Sequence, residues 1–382
     1  MFRFKWILAA IGAVVVALGG VVAPAGAQEV PNGSSLLVGS STAHGLDAYA
    51  MGDYVPPVEE LNSAFGCAEP TADPAATKTV VLVSGVAADI FQTFGSNFIP
   101  QLTEQGFDVC WVQPPHSGRG DLTQTALYVA QGIKLAQARL GRDVSVIGHS
   151  AGTPAAMWAM RYDASAAALV DDFISLAGAV RGTTLIEPVC EVVVTCPVIA
   201  WQMHPRSKFL QALNAAPLPE NIDATSIFSK TDPGIQPAHL ASSILGGTNI
   251  PVQDVCPNQY AGHITLLLNN TAYQLAFDAL NNDGPANPAR IAPADCGRLL
   301  APHTNLLNLV SVLHAAPEYL AALGEPRYLS EPELPSYARG DVVDPHEHGG
   351  IAEGSSARLA EASSTVGSGL VGSSTTTLGS SF

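Results

Sequence analysis

Positive charge is scarce in this chain: 17 Lys and Arg stand against 33 Asp and Glu among 382 residues, for a formal charge of −16. Such a balance repels phosphate backbones, and no basic stripe is present, which argues against nucleic acid as a partner. The same acidity is a poor match to an anionic membrane and leaves only transient contact with lipid interfaces, through apolar area. No repeat of solenoid length occurs. No Cys-x-x-Cys pair occurs either, so zinc is the weaker reading of the six cysteines. Beyond residues 6–22 there is no apolar run long enough to span a bilayer.

That one run belongs to a leader-like segment. Arg3 and Lys5 precede it, and Ala25-Gly26-Ala27 closes it with a small-residue cleavage pattern. Residues 1–27 therefore read as a secretory signal peptide. A retained anchor is the competing reading, disfavoured because the run is marginal for spanning and cleavage patterns do not follow anchors. In an exported, extracellular chain, six cysteines imply a framework of three disulfides whose pairing the sequence leaves open.

Residues 28–76 are rich in Gly, Ser, Pro and Ala with weak periodicity, and are expected to form an extended arm, ordered near Cys67. From 77 to 340 short apolar runs alternate with amphipathic stretches. Residues 341–382 turn to Ser, Gly and Thr and are expected to be a disordered tail. Within that tail, Asp344-Pro-His-Glu-His348 reads as solvated acidic chain rather than a metal site, because no rigid scaffold surrounds it.

Strands are expected at 79–84, 107–112, 143–147, 172–176, 222–228 and 251–255. Several are β-branched and lack polar alternation, as strands buried on both faces do. Helices are expected at 97–105, 122–140, 154–162, 207–214 and 264–281. The βαβα order predicts an α/β domain with a mostly parallel, doubly wound sheet flanked by helices.

Gly148-His149-Ser150-Ala151-Gly152 lies between a strand-like and a helix-like run. A serine on such a sharp turn stands above the sheet as a nucleophile, with the N–H of Ala151 as an oxyanion donor. A serine hydroxyl is weakly nucleophilic at neutral pH. It needs a base within hydrogen-bond reach and a carboxylate to hold that base. Asp232, in the loop after strand 222–228, is placed to be the acid, and His263, in the loop after strand 251–255, to be the base. His239, His303 and His314 are rival bases and Asp254 a rival acid, ranked lower on geometry. A second oxyanion donor is expected from the N–H of Val86, after the turn at Gly85.

Val81-Leu-Val-Ser-Gly85, Ser96-Asn-Phe-Ile-Pro100, Cys110-Trp111, Gln113-Pro-Pro115 and Leu334-Pro-Ser-Tyr-Ala-Arg339 follow one another in an order that resembles the Candida antarctica lipase B family. The resemblance covers roughly residues 64–339. It implies an α/β-hydrolase fold and a secreted serine ester hydrolase, foremost a triacylglycerol lipase, with the triad Ser150, Asp232 and His263. A short-chain or polyester-cleaving esterase and an acyltransferase are the alternatives, and a non-catalytic binding protein on the same scaffold is a more distant one. The implied substrate is a lipid or other small ester, taken up by a monomer, with neither metal nor organic cofactor required. The resemblance also implies Cys67 paired with Cys110 and Cys256 with Cys296, which leaves Cys190 for Cys196. The segment 185–203 around that last pair reads either as a lid or pocket rim or as a plain surface hairpin. Two departures stand out. Val86 replaces a hydroxyl residue that commonly adds a third oxyanion donor, a loss worth about a hundredfold in rate. His149 replaces a bulkier aromatic residue beside the nucleophile.

Overall fold

The computed structural model describes residues 52–68, 78–188, 190, 195–305 and 325–342. The expected leader, most of the tail, His314 and the apolar residues 192–194 lie outside them. Seven strands form one sheet: β1 (Phe65–Cys67), β2 (Thr79–Val83), β3 (Asp108–Val112), β4 (Val144–His149), β5 (Val170–Leu176), β7 (Asp223–Phe228) and β8 (Thr248–Pro251). Their order across the sheet is β1-β3-β2-β4-β5-β7-β8. All neighbours run parallel except β1, which pairs antiparallel with β3 at the edge. A separate two-stranded pairing joins β6 (Cys196–Pro197) to β9 (Arg327–Tyr328).

The absence of polar alternation is explained by two apolar layers. Along β2, Val81 and Val83 enter one layer and Val80 and Leu82 the other. The first layer holds the helices Leu122–Leu140 and Gly152–Tyr162, where the Trp158 ring stacks on Phe209 at 4.6 Å. The second holds the helices Ile90–Phe94, Phe98–Glu104 and Asn270–Asn281, joined through Phe98 and Phe277. Burial of these rings on both faces fixes the register, since a one-residue slip would exchange the two layers.

Helix ends follow local chemistry. Asp121 accepts the Thr123 N–H at the start of Leu122–Leu140, and Gly141, at φ 66°, ends it in the left-handed region. The expected helix over 264–281 is divided. Thr265–Leu268 is a 3₁₀ turn, and Asn269 adopts extended backbone to cap Asn270–Asn281 by accepting the Ala272 N–H. The expected strand over 251–255 lies earlier, at Thr248–Pro251, and Val252–Val255 is a helical turn. Pro251 has no N–H to continue a ladder and is well suited to open a helix.

Of the expected arm, residues 52–68 are described, and there the chain is not wholly extended. Val58–Ser63 is helical, and β1 places Cys67 opposite Cys110, to which it is bonded. The other two disulfides join Cys190 to Cys196 and Cys256 to Cys296. Asp341, at the expected head of the tail, accepts from Arg161 and Tyr162. Among the described residues no helix is long and apolar enough to cross a membrane.

Candidate active site

Because the central strands are parallel, the loops that follow β4, β7 and β8 all open on one edge of the sheet. Ser150 follows β4 directly, at φ 54°, a left-handed conformation that a non-glycine residue holds at a cost of about 1–3 kcal/mol. Three backbone hydrogen bonds impose it: the Ser150 N–H donates to Leu176, and its carbonyl accepts from Thr153 and Ala179. The turn also needs close approach of the chain to its neighbours. A Cβ on Gly152 would sit 2.3 Å from the Ser84 carbonyl oxygen, and one on Gly85 would sit 2.8 Å from Ser150 Cβ. Only glycine lets the segment after β2 lie against the serine.

Asp232 lies in the loop after β7 and is buried. Its Oδ1 accepts the N–H groups of Gly234 and Ile235 at 2.7 and 3.2 Å, which leaves Oδ2 for His263 Nδ1 at 2.9 Å. The opposite ring nitrogen, His263 Nε2, accepts from Ser150 Oγ at 2.8 Å. The His263 loop is tied back through Thr231 Oγ1, which donates to the Ala261 carbonyl, and through the Gly262 N–H, which donates to Thr265 Oγ1. One hydrogen-bonded line thus runs from buried carboxylate to imidazole to hydroxyl.

The rival groups are elsewhere. The His303 side chain is largely exposed and faces Glu104 at 3.8 Å. His239 is exposed on the short helix Ala238–Ala241, and Asp254 pairs with Lys230 at the surface.

Ser150, His263, Val86 and Ala151 all line a cavity of about 280 Å³. Its remaining wall is chiefly apolar, built from Ile186, Ile199, Met203, Ile235, Ile264 and Leu267. From the described part of the segment 185–203, Ile186, Ile199, Ala200 and Met203 line the cavity, as a pocket rim would. Gln202 holds its short helix Val198–Gln202 in place: its amide donates to Asp121 Oδ1 at 2.6 Å and accepts the Leu122 N–H at 2.8 Å. Thr183 joins the rim to the acid loop, its N–H donating to the Met203 carbonyl and its Oγ1 accepting the Gln236 N–H. Neither Gln202 nor Thr183 belongs to a local motif, and no pattern in the sequence singles them out.

His149, buried beside the serine, donates from Nε2 to the carbonyl of His263 at 3.2 Å, and the two rings lie 4.9 Å apart. Burial, reinforced by the neighbouring His263, pushes its pKa down to about 3, so the ring is neutral at ordinary pH.

A mostly parallel sheet with a strained serine after its central strand, and acid and histidine loops on the same edge, is the fold of the α/β hydrolases. The sequence model of the family described as lipase (class 2) matches residues 78–263. Lipase B of Pseudozyma antarctica is 30% identical over 285 residues, covering 72% of this chain and 83% of that protein. The crystal structure of Aspergillus fumigatus lipase B superposes with a TM-score of 0.66 at 28% identity, over 77% of this chain and 76% of that one. The chain belongs to the lipase B family of hydrolases.

Proposed function

We propose that this protein is a secreted serine ester hydrolase acting on acylglycerols through an acyl-enzyme on Ser150. The observation that carries the reading is the line Asp232–His263–Ser150, with separations of 2.9 and 2.8 Å, at the wall of an apolar cavity. Ser150 Oγ attacks the ester carbonyl while His263 Nε2 takes its proton. Asp232 keeps Nδ1 protonated and stabilises the imidazolium that forms. The N–H groups of Val86 and Ala151 receive the oxyanion. His263 then protonates the departing alcohol, and water, activated by the same imidazole, releases the acid. The apolar wall accommodates the acyl chain. Export is supported by the leader-like residues 1–27 and by three disulfides, which persist in oxidising compartments.

The test is hydrolysis of p-nitrophenyl esters from acetate to palmitate, and of emulsified triacylglycerol, by the chain without residues 1–27 beside its Ser150→Ala variant. Activity that vanishes with Ser150 and extends to long chains is expected. Activity confined to short chains would reduce the protein to a general esterase. Activity that survives in Ser150→Ala would remove the serine from the mechanism.

A further inference from the structure

His149 is the last residue of β4 and is joined by one peptide bond to Ser150. The residue is 3% exposed, in a place where a phenyl group of similar shape would need no hydrogen-bond partner. A buried imidazole must instead satisfy its polar atoms, and an unsatisfied one costs free energy. Here the donor is directed at the backbone carbonyl of His263 itself, at 3.2 Å. The other ties on the base loop engage its neighbours, Ala261 and Gly262.

The contact closes a small ring of interactions. Ser150 Oγ meets His263 Nε2 at 2.8 Å, the His263 carbonyl meets His149 Nε2, and the peptide bond between His149 and Ser150 completes the circuit. The nucleophile strand therefore holds the base at two points, its imidazole through Ser150 and its main chain through His149. The hydrogen bond through Ser150 Oγ breaks in every turnover as the oxygen becomes acylated, and without a second contact from the nucleophile strand only Asp232, at Nδ1, would then hold the ring. The contact from His149 persists through that step, because neither of its atoms takes part in the reaction.

We infer that His149 is a positioning residue, whose Nε2–H clamps the backbone of His263 so that the imidazole keeps its place over Ser150 while the serine is acylated. This rests on the assignment of Ser150 and His263 as nucleophile and base. The role requires a donor at the place of Nε2. Gln supplies one at the end of a side chain of similar reach, Phe fills the volume with no donor, and Asn offers its amide too close to the main chain.

The experiment compares wild type, His149→Phe, His149→Gln, His149→Asn and Ser150→Ala with p-nitrophenyl acetate, an ester too small to fill the cavity, alongside thermal unfolding. Displacement of a catalytic group by about 1 Å costs on the order of a hundredfold in rate. His149→Phe is expected to lose about tenfold to a hundredfold in kcat with KM little changed. His149→Gln should recover most of that loss, and His149→Asn should not. Should His149→Phe fail to fold, Asn against Gln carries the same comparison. Wild-type kcat in His149→Phe, or equal losses in Gln and Asn, would overturn the clamp while leaving the Ser150 reading intact. Activity in Ser150→Ala would instead remove the reading on which it rests.

Discussion

Gly234 lies against the ring of His263: a Cβ built on this glycine would sit 2.9 Å from His263 Cγ and 3.2 Å from Cδ2. The N–H of the same glycine donates to Asp232 at 2.7 Å, so the carboxylate and the imidazole meet around one residue without a side chain. Gly234→Ala should push the imidazole off the line between Ser150 and Asp232. An offset of about 1 Å is worth on the order of a hundredfold in kcat. Ester hydrolysis should fall by that order while the melting temperature stays within a few degrees of wild type, and an active Gly234→Ala enzyme would show that the ring has room to move.

Asp232→Asn tests the tautomer. The carboxylate accepts the Gly234 and Ile235 N–H groups on one oxygen and His263 Nδ1 on the other. An amide can keep the first pair on its oxygen only by turning its NH₂ toward the ring, where it favours the proton on Nε2 and disables the base. The loss in kcat should be about four orders of magnitude, as for the equivalent Asp-to-Asn change in a serine protease. Steady-state rates at neutral pH, with near-wild-type unfolding as a control, measure it.

What the sequence makes legible is local. Asp121 and Gly141 mark the ends of Leu122–Leu140 because capping and left-handed termination are written within one turn of each end. Buried strands show as unbroken β-branched runs because both faces of β2 meet apolar layers. Ser150, Asp232 and His263 are singled out by chain order and by a family resemblance, and the fold brings them into hydrogen-bond contact. Edge strand β1 is not legible: it has three residues, and what secures it is β3 and Cys110, 43 positions from Cys67. The bond from His149 to His263 spans 114 positions and has no local signature. The division of the helix expected at 264–281 turns on Asn269, whose side chain both caps Asn270–Asn281 and donates to Gln259 at 2.6 Å. A helix-period pattern cannot distinguish such an asparagine from a helical one.

Gln202→Leu should loosen the rim. The change removes the donor from the buried Asp121 carboxylate, whose pKa burial already raises, and strips the Leu122 N–H of its partner. The unpaired Leu122 N–H costs about 1–3 kcal/mol, and Asp121, which still accepts from Thr123, loses one charge-assisted bond, so the loss of stability should be about 2–4 kcal/mol, read as a shift in the urea midpoint. Ile199 lies on the same short helix and Met203 directly after it, and both line the cavity, so KM for long-chain esters should move more than KM for acetate. An unchanged chain-length profile would place acyl binding away from this wall.

His149 also makes acid stability testable. Its pKa falls to about 3 in the folded protein, first through burial and then through the neighbouring His263, whereas an unfolded histidine titrates near 6.5. Between those values the unfolded chain binds a proton that the folded chain refuses. The contribution of His149 to stability is therefore fully present above about pH 6.5 and is lost as pH falls toward 3. His149→Gln keeps a donor for the His263 carbonyl and removes the titration, so its stability should decline less steeply than wild type over this window. The gap between the two proteins should shift in favour of the variant as pH drops, and should be constant above about pH 7. Urea midpoints at pH 4.5, 5.5, 6.5 and 7.5 provide the comparison, and parallel curves would mean that the buried ring accepts a proton without loss of the clamp.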